Sequence, residues 1–160
     1  MNSKLDNKIE VLLHDRDDYV NIFNNDRISS DLDDYILNET KTIGLKEHII
    51  IEIKSEFDMS DDEKNKLRDM IKLSFYDDII ELNVFEKTLL KKNIIFMIIG
   101  VLFILMYFLF NEFIIINELL LIIGWLFVSE SIYALIFGSS DNNIKILKRK
   151  QLVNSDIYFK

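Results

Sequence analysis

Residues 94–110 read IIFMIIGVLFILMYFLF, and residues 119–138 read LLLIIGWLFVSESIYALIFG. The first stretch carries no charge, and the second carries only Glu130. A helix of this length can cross the hydrocarbon core of a bilayer, and neither stretch has the polar face that a helix of a soluble protein turns to water. On an insertion scale, the apolar side chains of each stretch contribute roughly −5 to −6 kcal/mol, which outweighs roughly 3 kcal/mol for one central carboxylate. The sequence therefore predicts two membrane spans, at about 93–110 and 118–138, rather than two core helices.

Positive charges on either side of this apolar pair predict its orientation. Lys87, Lys91 and Lys92 precede the first stretch, whereas Lys145, Lys148, Arg149 and Lys150 follow the second. The short connection, Asn111 to Glu118, contains no cation. Because lysine and arginine beside a span stay on the cytosolic side, we expect a protein of the bacterial cytoplasmic membrane with both termini in the cytosol. The cations expected at the membrane surface, where anionic headgroups favour each by about 1 kcal/mol, are Lys91, Lys92, Lys145, Lys148, Arg149 and Lys150.

Contact between two apolar helices in lipid depends on small residues and on polar side chains that find partners. One face of the second span carries the residues expected to make this contact, which are Gly124, Val128, Ser131, Leu135 and Gly138. In the first span, Gly100 can serve the same purpose. Because the connection is so short, the two spans are predicted to form an antiparallel hairpin packed through this face.

The acidic residue inside the second span is the least expected feature of the sequence. Glu130 lies two to three residues from the middle of that span, roughly 4 Å from the bilayer midplane. An ionisable group at this depth is a candidate for an ion path or for an oligomer contact. The structural alternative is a carboxyl group that is protonated, or hydrogen-bonded to Ser129, Ser131 or Tyr107, between packed helices. The sequence leaves both roles open.

Charge and composition divide the chain and exclude several classes of function. Residues 1–86 hold 22 acidic and 11 basic side chains, a net charge of −11, whereas residues 87–160 have a net charge of +3. Such an acidic domain repels phosphate backbones, so nucleic-acid binding is not expected. The chain has no cysteine, which excludes disulfides, thiolate metal sites and cysteine nucleophiles. The start of the chain, Met1 to Glu10, has no apolar core of the kind that signal peptides need.

Alternating and helical patterns predict an α/β domain before the hairpin. Strands are predicted at Lys8 to Leu13 and at His48 to Lys54, because apolar residues there alternate with polar ones. Between them, the spacing of Tyr19, Ile22 and Phe23 predicts one helix. A second is predicted from Ser30, with Asp31 and Asp33 in its first turn, to about Thr40, and Gly44 follows it.

A third, longer helix is predicted to lead towards the membrane. Ser60 and Glu63 form a capping box. From there to Ile99 the sequence has neither glycine nor proline, so this helix can continue into the first span. Its apolar stripe, part of which could form a stalk with other copies, consists of Leu67, Met70, Ile71, Phe75, Ile79, Leu82, Phe85 and Leu89.

The predicted class is therefore α+β. Residues 1–90 form a small acidic cytosolic α/β domain, of the order β-α-α-β-α, whose long last helix leads into the membrane. Residues 91–138 form an all-α two-helix transmembrane hairpin. Residues 139–160 form a short basic cytosolic tail with a terminal strand at Asp156 to Phe159.

No motif in the sequence specifies catalytic, cofactor-binding or metal-binding residues. His14 lies near Asp15, Asp17 and Asp18, but a calcium loop fails there because it needs glycine at its sixth position and glutamate at its twelfth. Phosphate-binding glycine loops, nucleophile elbows and HExxH zinc motifs are all missing from the sequence. We therefore expect no catalytic residue, no cofactor and no metal.

The overall plan of the chain, an N-terminal α/β domain ahead of a hairpin, resembles that of a group of small uncharacterised bacterial proteins with two transmembrane helices. The resemblance rests on Ile123-Gly124-Trp125 and on the acid at Glu130. Members of that group often place a tryptophan just before this acid, where this chain has Ser129. The resemblance covers most of the chain, implies the same architecture, and carries over no activity and no functional residue.

These observations favour a non-enzymatic membrane protein. In the first hypothesis, a homo-oligomer binds a cytosolic protein or a ligand through its α/β domain and passes that state along the long helix to the hairpin. In the second, the hairpins assemble into a pore-forming or membrane-perturbing effector or a small channel, with Glu130 lining the path. A membrane-tethered enzyme is the third, and the missing motifs count against it. The expected partners are the lipid bilayer, other copies of the chain and a cytosolic protein.

Overall fold

The computed structural model describes residues 7–109 and 114–160, with the side chains of residues 139 and 140 left out. The elements in chain order are β1 (Lys8–Leu13), β2 (Val20–Asn21), β3 (Asn24–Ile28), α1 (Ser30–Glu39), a 3₁₀ turn (Thr40–Thr42), β4 (Ile50–Ser55), α2 (Asp61–Leu109), α3 (Ile114–Val153) and β5 (Asp156–Phe159). The chain divides into an α/β unit, made of the described residues up to Glu81 together with Ile144–Lys160, and a helical unit, Leu82–Asn143. An α+β class with a small N-terminal strand and helix region and two long apolar helices is thereby confirmed.

A three-stranded parallel sheet lies at the centre of the α/β unit. Its strand order is β1-β4-β5, so the central strand is β4. Ile51 stands between Ile9 of β1 and Ile157 of β5, and all three side chains are buried. The alternation of apolar residues predicted for β1 and β4 therefore fills one face of the sheet. The last residues of the chain belong to the same sheet as the first described ones.

Helices cover the apolar face of this sheet. Leu67, Ile71 and Phe75 of α2 are fully buried, as the predicted stripe requires. Ile36 of α1 and Leu152 of α3 are equally inaccessible and join the same core cluster. A segment of α3 that lies after the second apolar stretch is thus part of the core of the α/β unit.

The prediction of a helix around Tyr19 is wrong, because β2 and β3 form a β-hairpin there. The Asn21 side chain accepts hydrogen bonds from the backbone N–H groups of Phe23 (2.9 Å) and Asn24 (3.2 Å). These local bonds close a turn and compete with helical hydrogen bonding. The order β-α-α-β-α is therefore corrected to three strands, α1, the 3₁₀ turn, β4 and α2.

Side-chain caps fix the starts of two helices. The cap of α1 is Ser29 rather than Ser30, since the Ser29 hydroxyl accepts from the Leu32 N–H (3.3 Å). The capping box before α2 is confirmed, because the Ser60 N–H donates to Glu63 Oε2 (2.9 Å) and the Glu63 N–H donates to Ser60 Oγ (3.3 Å).

The two long helices extend further than the predicted spans. Helix α2 is continuous from Asp61 to Leu109 and contributes residues to both units. Helix α3 begins at Ile114, so residues 114–118 of the predicted connection are helical, while Phe110 to Phe113 lie outside the described residues, as do residues 1–6 of the predicted N-terminal domain. Because α3 continues to Val153, most of the predicted basic tail is the last part of a helix followed by β5.

Candidate functional site

Two glycines allow α2 and α3 to approach closely within the helical unit. A Cβ atom placed on Gly124 would lie 2.8 Å from the carbonyl oxygen of Gly100 and 2.7 Å from Cγ1 of Ile104. A Cβ atom on Gly100 would lie 2.8 Å from both the Gly124 oxygen and Cγ2 of Val128. All four distances are shorter than van der Waals contact, so only glycine fits at this crossing.

Aromatic rings and a buried hydroxyl surround the glycine crossing. The Phe127 ring lies 5.7 Å from the Phe96 ring and 6.2 Å from the Phe103 ring. Ser131 is buried, and its hydroxyl donates to the Phe127 carbonyl on its own helix (2.7 Å). The structure thus places Gly124 and Val128 of the expected packing face against α2 and buries Ser131, whereas a Cβ atom placed on Gly138 would meet no described atom within 4 Å.

Glu130 is exposed on α3, whereas Gly124 and Ser131 of the same helix are buried. Over the described ranges 7–109 and 114–160, no hydrogen bond or ion pair joins it to Ser129, Ser131 or Tyr107. The Ser131 hydroxyl is used within its own helix, and the Tyr107 ring packs against Phe108 with a centroid distance of 5.2 Å. The hydrogen-bonded arrangement considered for Glu130 is therefore not formed among these residues.

A cluster of charges that the sequence did not single out joins all three strands on the open face of the sheet. Glu52 of β4 is only 6% exposed, and its Oε2 lies 2.9 Å from the Nζ atoms of both Lys8 and Lys160. Hydrogen bonds from Lys160 and then Lys8 lower the Glu52 pKa to about 2. A carboxyl group this acidic holds no proton at neutral pH and cannot act as a general acid. Its role is to tie β1 and β5 to β4.

Two of the cations assigned to a membrane surface have partners inside the α/β unit. The Lys148 ammonium donates to the backbone carbonyls of Thr40 (2.8 Å) and Ile43, and burial lowers its pKa. Arg149 Nε lies 2.7 Å from Asp78 Oδ2. These contacts attach the end of α3 to α1, the 3₁₀ turn and α2.

The other four of these cations have exposed head groups. Lys145, Lys150, Lys91 and Lys92 are all exposed, and Lys92 lies 5.5 Å from the centre of the Phe96 ring. A surface role for any of the six cations stays a prediction.

Each histidine lies within hydrogen-bond distance of a carboxylate. His14 Nδ1 lies 3.0 Å from Glu56 Oε2, and this hydrogen bond raises the His14 pKa. His48 Nε2 lies 2.9 Å from Asp156 Oδ2. The Asp18 carboxylate accepts the backbone N–H of His14 (2.6 Å), so it closes a turn. In the part of the chain that the structure describes, no group of three or more acidic or histidine side chains could hold a metal ion.

Comparisons with known proteins add no assignment. No protein-family model, no curated protein and no solved structure matches this chain. The resemblance of the overall plan to small two-span bacterial proteins therefore stays a prediction, and function has to be argued from the residues themselves.

Proposed function

We propose that this chain is an integral membrane protein that crosses the bilayer twice. The observation that carries the proposal is the exposure of its apolar helices: only 6% of the apolar window in α2 and 11% of that in α3 is buried inside the structure. Soluble proteins bury such helices in a core, and they rarely expose contiguous apolar surface of this extent to water. Lipid is the solvent in which these surfaces are stable, since the backbone of each helix is satisfied internally.

The composition of the α/β unit supports the proposal that both ends of the hairpin lie on one side of the membrane. This unit combines residues from before the first window with Ile144–Lys160 from after the second. The pairing of β5 with β4 and the place of Leu152 in the core support a common side of the membrane for the two parts, because they contribute to one folded unit. The cations Lys87 to Lys92 and Lys145 to Lys150 favour the cytosolic side for both.

Membrane fractionation tests the first part of this proposal. We expect the full chain to sediment with membranes, to resist extraction by alkaline carbonate and to be released by detergent. A chain that stays monodisperse in buffer without detergent would contradict a membrane-spanning function.

Within this topology, we propose that the cytosolic unit docks a protein and passes the bound state to the hairpin through α2, which belongs to both units. The turn of the β-hairpin formed by β2 and β3 supports a protein contact, because Ile22 and Phe23 at its tip are 79% and 91% exposed. Exposed aromatic side chains are typical anchors of protein interfaces. The net charge of −11 over residues 1–86 favours a partner with a basic surface.

Photo-crosslinking in living cells tests the docking proposal on the full chain. A photoreactive residue in place of Phe23 should give a discrete adduct with one protein. An excess of the unlabelled parent chain should compete this adduct away, whereas an excess of the Phe23→Ser chain should not. The matched control is the same probe at Leu12, which is half-exposed on β1. Identical adducts from both positions would contradict docking at the tip of the β2–β3 hairpin.

A second candidate function is a small channel or membrane-perturbing effector. It is favoured by the placement of Glu130, exposed on α3 and unpaired among the described residues, where assembled copies could line a path with it. Expression should then cause dye leakage that Glu130→Gln alters. Leakage that is absent, or that is indifferent to this substitution, would count against the channel.

A further inference from the structure

Helix α2 has a second apolar stripe that does not contribute to the core of the α/β unit. The inner stripe includes the fully buried Leu67, Ile71 and Phe75. On the opposite side of the helix, the residues Asp69, Leu73, Tyr76 and Ile80 are all exposed. We call these four residues the outer stripe. Its three apolar members are 48% to 53% exposed, although each is large enough to contribute substantially to a core.

The spacing of the outer stripe is that of a coiled coil. Its members follow one another at intervals of four, three and four residues, which is the a and d pattern of a heptad. Leu73 and Ile80 occupy a positions, whereas Asp69 and Tyr76 occupy d positions. Leu73 and Tyr76 also line an open groove of about 690 Å³, which leaves room for side chains of a facing helix.

The charges beside the outer stripe select its occupant. Lys72 and Asp77 flank it on opposite sides, at g and e positions, and they are five residues apart. In a parallel pair of identical helices, a g residue meets the e residue five positions further along the partner, so Lys72 would face the partner's Asp77 in both directions. Two heptads further along α2, Glu86 occupies the g position and Lys91 the e position, so the same pairing recurs with the two charges exchanged.

We propose that a second copy of this chain packs in parallel against the outer stripe of α2, with reciprocal Lys72–Asp77 ion pairs across the two-fold axis. The inference rests on the proposed membrane topology, because two copies inserted in the same direction present α2 in the same direction. Within each copy, Arg27 Nη2 lies 3.0 Å from Asp77 Oδ2, so the carboxylate is already held beside the stripe.

Single cysteines test the interface directly, because the chain has none of its own. In membranes containing the full-length protein, Leu73→Cys, Tyr76→Cys and Ile80→Cys should each form a disulfide-linked dimer on mild oxidation. Glu81→Cys is the matched control, since it is exposed on the same helix but lies at a b position away from the partner. In an antiparallel pair only a residue at the two-fold axis meets its own copy, so self-crosslinking at all three positions requires parallel helices.

Charge reversal supplies a second measurement that does not depend on cysteine. Lys72→Glu should shift the detergent-solubilised protein from twice the 19.0 kDa chain mass towards the monomer, and Lys72→Glu combined with Asp77→Lys should restore the dimer. Arg27→Ala controls for loss of the ion pair within one copy and should leave the dimer intact. A double variant that is as monomeric as Lys72→Glu would overturn the pairing.

The outcomes separate this inference from the proposed function. Protein in the membrane pellet without crosslinks at the outer stripe refutes the interface and leaves the membrane topology standing. Crosslinks at all three positions in a soluble fraction support the interface and overturn the membrane proposal. Crosslinks from Glu81→Cys as strong as those from Tyr76→Cys would also refute the interface.

Discussion

Alanine at the glycine crossing should destabilise the hairpin, and the structure allows the size of the effect to be worked out. In Gly124→Ala, the new Cβ atom would lie 2.8 Å from the Gly100 oxygen, which is about 0.6 Å inside the 3.4 Å at which ordinary contact begins. It would also lie 3.0 Å from the Ile104 backbone nitrogen. Backbone atoms cannot rotate away, so the helices have to separate. Overpacking of this kind costs about 1–3 kcal/mol of unfolding free energy.

The matched control is Gly138→Ala on the same helix, where the structure places no described atom within 4 Å of the added methyl group. Because alanine favours helix by up to about 1 kcal/mol over glycine, this variant should be as stable as the parent or slightly more stable. Reversible unfolding of the full chain in mixed detergent micelles, followed by the fluorescence of the single tryptophan, Trp125, measures both. Equal midpoints for Gly124→Ala and the parent, or an equal loss in Gly138→Ala, would refute the crossing.

Three further predictions concern the α/β unit. The Glu52 pKa is lowered by its lysine partners to about 2, so their stabilisation should be complete above the ordinary glutamate pKa of about 4.5 and be lost as pH falls towards 2. Denaturant titrations across this range should show a larger loss of unfolding free energy in the parent than in Glu52→Gln, which keeps only the smaller losses from Glu10, Asp18 and Glu63. Lys148→Ala should lower the unfolding free energy by about 1–3 kcal/mol, because the Ile43 carbonyl loses the ammonium donor and the Thr40 carbonyl keeps only the Ile43 N–H. Lys145→Ala, which removes an exposed side chain, should change little in the same titration. Leu152→Ala should cost about 2–5 kcal/mol because the side chain is fully buried, with the half-exposed Leu147→Ala as its control in a thermal melt; equal losses would mean that the end of α3 is not in the core.

Local patterns in the sequence were sufficient for most elements of the α/β unit. The alternation of Ile49, Ile51 and Ile53 predicts both the strand and its buried face, because period-two spacing is visible within a few residues. The same alternation directs Glu52 away from the core. The lysines that surround Glu52 come from β1 and from the end of the chain, and no local pattern specifies which strands pair or in which register. The charge cluster around Glu52 could therefore not be predicted from the sequence.

Two differences arose where local signals were ambiguous. The spacing of Tyr19, Ile22 and Phe23 fits a helix, but it also fits a strand followed by a two-residue turn, and the hydrogen bonds of the Asn21 side chain decide for the turn. The basic segment after the hairpin has the charge of a lipid-binding surface. Lys148, however, finds carbonyl partners about a hundred residues earlier in the chain, which only the tertiary fold can bring near.

The glycine crossing could be anticipated in part. Small residues on one face of the second span pointed to Gly124, and the structure sets Gly100 opposite it. The same rule also selected Gly138, where an added Cβ atom would meet open space, because the spacing of small residues on one helix does not specify where the neighbouring helix lies.

Labelling of single cysteines in intact cells tests the central claim most directly. With a maleimide that cannot cross membranes, Asn111→Cys between the two apolar stretches should be labelled in intact cells, whereas Glu39→Cys and Lys150→Cys should be labelled only after the membrane is permeabilised. Labelling of Lys150→Cys in intact cells, with Glu39→Cys still protected, would place the two halves of the α/β unit on opposite sides of the bilayer and contradict the account.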